Sequence, residues 1–109
     1  MMWMGGDPLA AIRRLGDAIY HGHAKDTRID RENSALTTIL ETKTGDRVRE
    51  RAWNYVTLGF GHDESWWREF VLLLRQGGYD DVLSIEHEDV SMSPLEGVRK
   101  TIALLSTII

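Results

Sequence analysis

The sequence predicts an α/β domain whose strands run parallel to one another. Two observations indicate this class: strand and helix signals alternate along the chain, and each strand candidate is long enough for one crossing of a sheet. Only two such strands are present. Because parallel sheets normally sit in larger closed or doubly wound structures, we expect the domain to be incomplete.

Three helices are predicted from the residues that begin them. Asp7-Pro8 is an N-cap followed by a proline at the first helical position, Asp63 can cap a second helix, and Ser93-Pro94 opens a third. Apolar side chains recur at helical spacing behind each cap. The first helix is therefore expected over residues 8 to 16, with the other two near residues 64 to 76 and 94 to 105.

The two strands are predicted over residues 18 to 24 and over Val82 to His87. Residues 27 to 58 are polar and give a mixed signal, so we interpret them as an elaborated loop. A hairpin that pairs residues 36 to 42 with residues 48 to 56 stays open as an alternative. The predicted order is helix, strand, loop, helix, strand, helix.

Composition excludes several classes of function. The 109 residues are 42% hydrophobic and 28% charged, which is ordinary for one globular domain, and a formal net charge of −4 disfavours a nucleic-acid-binding surface. Cysteine is absent, so any metal must be held by nitrogen and oxygen ligands. No signal peptide or membrane span is recognisable, and a cytoplasmic location without membrane contact is expected.

Polar side chains collect where both predicted strands end. His21, His23 and Lys25 share one face of the first strand because side chains alternate, and Glu86 lies near the carboxyl end of the second. Ligands of α/β sheets bind outside the carboxyl ends of the strands. An imidazole and a carboxylate from neighbouring strands suit Mn, Co, Mg or Zn.

Structural interpretations of the same residues stay open. A strand histidine is more often a hydrogen-bonded core residue than a ligand, and Glu86 can equally be solvated or paired with Lys25. His87 has the opposite parity to Glu86 and is expected to face helices or solvent. His62, in a glycine turn, is expected to be structural, and Trp67 to belong to the core.

The order of five fragments resembles a known family. HGHAKD, RAW, GFGHD, GGYDDVLSIEHED and SPLEG resemble the carboxy-terminal part of the sugar phosphate isomerase/epimerase family with the xylose-isomerase-like TIM barrel. The resemblance covers nearly the whole chain. It implies that residues 1–109 form one partial domain, the last two strand–helix units of a (β/α)8 barrel with a preceding helix.

The resemblance also implies roles for individual residues. His23 and Glu86 would hold a divalent metal, Glu86 would be catalytic, Lys25 would contact a substrate oxygen or phosphate, and His21 would lie deeper near the substrate. The implied reaction isomerises or epimerises a sugar or sugar phosphate. The metal chelates a carbonyl and a neighbouring hydroxyl and stabilises the developing enediolate, while carboxylates move the proton.

Half of the family's metal ligands have no counterpart here, so enzymatic activity of the isolated chain stays open. A complete barrel needs about 250 residues, and activity would require a partner chain that completes it. The alternative is a catalytically inactive truncated barrel that self-associates or binds a partner through open sheet edges. A metal-dependent endonuclease, as in DNA-repair relatives on a similar barrel, is disfavoured by the acidic charge balance.

Overall fold

Four α-helices and four short strands follow one another in the computed structural model, which describes all 109 residues. The helices are α1 (Pro8–Leu15), α2 (Arg31–Thr37), α3 (Glu64–Gln76) and α4 (Pro94–Ser106). The strands are β1 (Gly22–Ala24), β2 (Asp26–Ile29), β3 (Trp53–Val56) and β4 (Leu83–Ile85). Short 3-10 turns occupy Met2–Met4, Gly16–Ala18 and Gly45–Glu50.

The three predicted helices are confirmed, and their caps explain where they begin. The carboxylate of Asp7 accepts hydrogen bonds from two backbone N–H groups of the first turn of α1, at 2.9 and 3.3 Å. Asp63 and Ser93 cap α3 and α4 in the same way. Each cap satisfies donors that have no partner within the helix, which fixes the starting point.

The predicted parallel pairing of the two strands is confirmed over three residues. In β1 and β4, His23 lies opposite Ser84 and Ala24 lies opposite Ile85. The backbone N–H of Glu86 donates to the carbonyl of Ala24 at 3.2 Å, one residue beyond β4. The last residues of the two strands therefore end side by side at the same edge of the sheet.

A second sheet is an antiparallel hairpin of β2 and β3. Asp26 lies opposite Val56, and Ile29 lies opposite Trp53. A hairpin was an open alternative for this region, but its predicted first strand was wrong: residues 36 to 42 do not pair. Asp30 caps α2 and turns the residues that follow β2 into a helix, so the chain reaches β3 only after residue 52.

The prediction of a partial TIM barrel is wrong. The chain forms a small α/β domain with two separate two-stranded sheets, and β1 and β4 have no strand beyond each other. A barrel requires parallel strands that are paired on both edges until the sheet closes. Here β2 continues almost directly from β1 but pairs antiparallel with β3, which a ring of parallel strands does not accommodate.

The core lies between α1, α3 and the β1–β4 sheet. Trp67 is fully buried and anchors the predicted apolar stripe of α3, so its assignment to the core is confirmed. The buried apolar cluster consists of Leu9, Ile12, Ala24, Leu58, Trp67, Phe70, Val71, Leu74 and Leu105. Ala24 places β1 against this cluster, and side-chain alternation then directs its neighbour His23 away from it.

Asp26 joins the two sheets to the turn that precedes α3. Its side chain is fully buried, and one carboxylate oxygen accepts the backbone N–H groups of Gly59, Gly61 and His62, each at 3.0 Å. The other oxygen accepts from Thr27 N at 2.8 Å and from His62 Nδ1 at 2.7 Å. The structural role expected for His62 is confirmed.

Asp89 fixes the chain after β4 to the chain after β3. Its carboxylate accepts from the backbone N–H and hydroxyl of Thr57 and from those of Ser91. Burial alone would raise the pKa of Asp89, but these hydrogen bonds outweigh it and lower the pKa to about 2. The carboxyl ends of β3 and β4 are thereby held next to each other.

None of the helices combines the length and apolar character needed to cross a membrane.

Candidate functional site

The structure brings three of the four sequence-predicted site residues, His23, Lys25 and Glu86, together at the carboxyl end of β1 and β4. His23 Nδ1 contacts Glu86 Oε1 across the two strands. Lys25 Nζ donates to Glu86 Oε2 at 2.8 Å. Glu86 is therefore the centre of the cluster, with one oxygen facing an imidazole and the other facing an ammonium group.

Register and side-chain alternation produce this contact. His23 is paired with Ser84. Glu86 lies two residues after Ser84, just beyond the end of β4, and on the same face of the sheet as Ser84. Lys25 lies two residues beyond His23 and meets the same carboxylate. The parallel direction of the strands is essential, since an antiparallel pair would place these residues at opposite edges.

The charges of the cluster stabilise one another. The hydrogen bond from Lys25, followed by the one from His23, holds the pKa of Glu86 below its usual range. Burial acts to lower the pKa of Lys25, but its hydrogen bonds to Glu86 and Glu88 outweigh burial and raise that pKa. At neutral pH the cluster thus contains an ammonium group between two carboxylates, and Glu86 is a weak base while that contact holds.

The His23–Glu86 contact also defines the state of the imidazole. An ionised carboxylate only accepts hydrogen bonds, so the facing Nδ1 of His23 carries a proton. The side chain of His23 is 51% exposed and that of Glu86 is 38% exposed, so solvent and small ligands reach both. A metal ion bound by both atoms would displace this proton.

His21 lies beside His23 rather than deeper in the protein. Its ring meets the His23 ring edge to face with centroids 4.9 Å apart, and its Nε2 is 2.9 Å from the hydroxyl of Ser84. The side chain is exposed. His21 thus extends the polar face of β1 but contacts neither Glu86 nor Lys25 by a hydrogen bond.

Two residues of the site were not singled out by the sequence analysis. Glu88 accepts from Lys25 at 2.7 Å, and the ring of Tyr55 lies 4.0 Å below the same ammonium group. Glu88 has the same parity as Glu86, which is a usable sequence signal. Tyr55 arrives from β3, and no local pattern relates it to Lys25. Tyr55, Lys25 and His23 border a concavity of about 240 Å³.

The remaining histidine near the site is structural. His87 packs its ring against α4 where Gly97 has no side chain, since a Cβ there would lie 1.7 Å from His87 Nε2. The same nitrogen is 3.3 Å from the hydroxyl of Thr57. The expectation that His87 faces helices or solvent is confirmed for the helix.

A divalent cation would meet two protein ligands in this cluster, His23 and Glu86. No group of three or more His, Cys, Asp or Glu side chains is placed to hold a metal ion. His23 and Glu86 supply one imidazole nitrogen and one carboxylate oxygen, a donor pair that suits Mn, Co, Mg or Zn. Tight binding requires further ligands from water, substrate or other residues.

Comparison with known proteins shows a similarity to a bacterial protein. No family model matches the chain. Over 105 residues, or 96% of its length, the chain is 47% identical to the uncharacterized protein YfiH of Bacillus subtilis (strain 168). The matched residues are 34% of that protein, so the chain spans about a third of the length of this relative.

Proposed function

We propose that this chain carries part of the active site of a divalent-metal-dependent sugar or sugar phosphate isomerase or epimerase. The observation that supports the proposal is the contact of His23 Nδ1 with Glu86 Oε1 at the carboxyl end of two parallel strands. The resemblance of HGHAKD and GGYDDVLSIEHED to the sugar phosphate isomerase/epimerase family points to the same two residues. A protein of the length of YfiH has room for the missing ligands.

His23 and Glu86 would hold the metal, and the chemistry follows from their positions. Bound there, a divalent cation would polarise a sugar carbonyl and acidify the adjacent carbon. Glu86 Oε2 is the atom that would take up and return the proton, because Oε1 faces His23. Lys25 must first release Oε2, since its hydrogen bond lowers the basicity of the carboxylate.

Lys25 has a second use once it moves. Its ammonium group lies 4.0 Å from the centre of the Tyr55 ring and its side chain is 21% exposed, so it would have to turn from Glu86 toward solvent. There it would donate a hydrogen bond to a substrate oxygen. The exchange of Glu86 for a substrate oxygen would couple substrate binding to the release of the base.

Metal titration tests the proposal. Manganese or cobalt is added to the purified protein at constant ionic strength, and the thermal midpoint is followed, because specific binding to the folded state raises apparent stability. H23Q and E86Q should each abolish the rise. E32Q removes an exposed carboxylate that has no ion pair and should leave it unchanged. The proposal fails if millimolar metal gives no rise or if H23Q and E32Q behave alike.

Self-association is the second candidate, because β4 has no strand on its outer edge. An apolar concavity of about 450 Å³ lies beside that edge, bordered by Leu83, Ile85, Ile102, Leu105, Ser106 and Ile109. Ile102 is 50% exposed and Ile109 is 63% exposed. A second copy of the chain would cover this surface. Sedimentation over a hundredfold concentration range should then reveal a dimer that I102E abolishes; a monomer throughout would exclude this candidate.

A further inference from the structure

A second concavity lies outside the His23–Glu86 contact. It has a volume of about 620 Å³ and lies between the start of α1, the outer part of β2 and the turn before α3. Arg28 and Arg31 contribute its cationic side chains, and the rings of His62 and Trp66 lie 4.4 Å apart along its border. We refer to it as the arginine concavity.

Both arginines of this concavity are available to a ligand. Neither Arg28 nor Arg31 takes part in an ion pair or a side-chain hydrogen bond, and both are exposed. By contrast, Arg13 and Arg68 are paired with glutamates of α3. A guanidinium group without a carboxylate partner matches the planar, bidentate geometry by which arginine binds phosphate.

One acidic side chain borders the concavity beside the two cationic ones. Asp7 borders the cavity, but its Oδ1 already accepts two backbone N–H groups of α1. None of the other border residues carries an acidic side chain, so two guanidinium groups stand against one carboxylate. The concavity therefore has an excess of positive charge.

The predicted phosphate contact, Lys25, has the opposite surroundings. Its ammonium group lies between Glu86 and Glu88, at 2.8 and 2.7 Å, so the charge of this cluster is negative overall. A phosphate group placed there would meet two carboxylates. Electrostatics thus favours the arginine concavity over Lys25 for an anion.

The two concavities adjoin each other. Met2, Pro8 and Thr27 border both the arginine concavity and the smaller one that contains His23 and Lys25. The residues from Gly22 to Ile29 form one nearly continuous extended segment, which carries His23 toward one concavity and Arg28 toward the other. The two concavities therefore share part of their border.

We propose that Arg28 and Arg31 form a binding site for the phosphate group of a phosphate monoester. That the rest of this ligand is a sugar reaching toward His23 rests on the function proposed above. The anion site itself does not depend on metal. It assigns phosphate recognition to two residues on β2 and at the start of α2.

Phosphate binding to the metal-free protein tests the site. Inorganic phosphate, a hexose 6-phosphate and the same hexose without phosphate are titrated by NMR at constant ionic strength. The first two should bind and the third should not. R28Q and R31Q should each weaken binding by about tenfold or more, since hydrogen bonds between charged groups contribute on that scale. Binding of the hexose as well as its phosphate would overturn the proposal.

A matched variant separates the site from general charge effects. Arg99 is exposed on α4, forms no ion pair and lies outside the arginine concavity, so R99Q removes the same charge elsewhere. R99Q should change phosphate binding less than twofold. Equal weakening by R99Q and R28Q would overturn the proposal, as would the absence of saturable phosphate binding in the unmodified protein.

The metal experiment and the phosphate experiment test different residues, so a negative result in one does not decide the other. Phosphate binding that R28Q weakens and E86Q leaves intact supports the arginine site, even if manganese gives no thermal rise and the metal site falls. Loss of phosphate binding in E86Q but not in R28Q would overturn the arginine site while leaving the metal site standing. Melting curves of all variants show that each remains folded.

Discussion

Two carboxylates of this molecule contact a histidine, and their surroundings give them opposite properties. Asp26 is fully buried and accepts three backbone N–H groups in addition to His62. Glu86 is held only by the flexible side chains of His23 and Lys25 and is 38% exposed. A carboxylate fixed by backbone is part of the scaffold, whereas one held by movable side chains is available to a ligand.

Removal of each carboxylate should reveal this contrast most strongly. D26A removes a fully buried carboxylate, leaves three backbone N–H groups without their acceptor, and is expected to lower the free energy of unfolding by roughly 3 kcal/mol or more. E86A should leave the urea midpoint nearly unchanged, because water replaces its partners. Equal midpoint shifts would contradict the distinction between the two carboxylates.

Gly61 offers a smaller test of the scaffold. A Cβ at this position would lie 2.4 Å from the carbonyl oxygen of Thr27, so the turn that Asp26 holds would have to move. G61A is expected to cost about 1 to 3 kcal/mol of unfolding free energy. Gly45 is the matched control, since the nearest atom to its Cβ position is 3.8 Å away. Chemical denaturation of G61A and G45A measures the difference. Similar stabilities of the two variants would argue against a close approach of Gly61 to the backbone of Thr27.

Lys25 is expected to have the smallest effect on stability and a specific effect on titration. Native contacts lower the pKa of Glu86 from its ordinary 4.5, so their contribution to stability is present above that pH and is lost as the pH falls through the lowered value. K25Q removes the largest cause of this lowering, so the pH-dependent contribution of Glu86 to stability should become smaller.

Carboxyl NMR measures this change directly. In K25Q the pKa of Glu86 should rise toward 4.5, whereas K100Q, which removes the partner of Glu96 at 3.1 Å, should leave it unchanged. A Glu86 titration that is identical in K25Q and the unmodified protein would mean that the Lys25 contact does not persist in solution.

Local signals in the sequence were sufficient for the helices and for one contact. Asp7, Asp63 and Ser93 each satisfy donors within three residues of themselves, so the helix starts are local properties. The meeting of His23 and Glu86 followed from two assumptions, parallel strands and strict alternation, and both hold here. Parallel pairing and alternation therefore suffice to predict that Glu86 lies beside His23.

Features that depend on distant backbone were not predictable in the same way. The partners of Asp26 are backbone N–H groups some 35 positions along the chain, and a backbone donor leaves no trace in residue type. The prediction of a barrel was wrong for a related reason. Whether a strand is paired on its second edge depends on distant segments of the chain. Neither strand-end motif carries that information.

Gly97 influences the direction in which the side chain of Glu86 points. The imidazole of His87 occupies the space that a side chain at position 97 would fill, so His87, the residue after Glu86, packs directly against the backbone of α4. Neighbouring side chains in an extended segment point in opposite directions. The packing of His87 against α4 therefore orients the Glu86 side chain toward His23. In this way α4 positions a residue of the site without contributing a side chain to it.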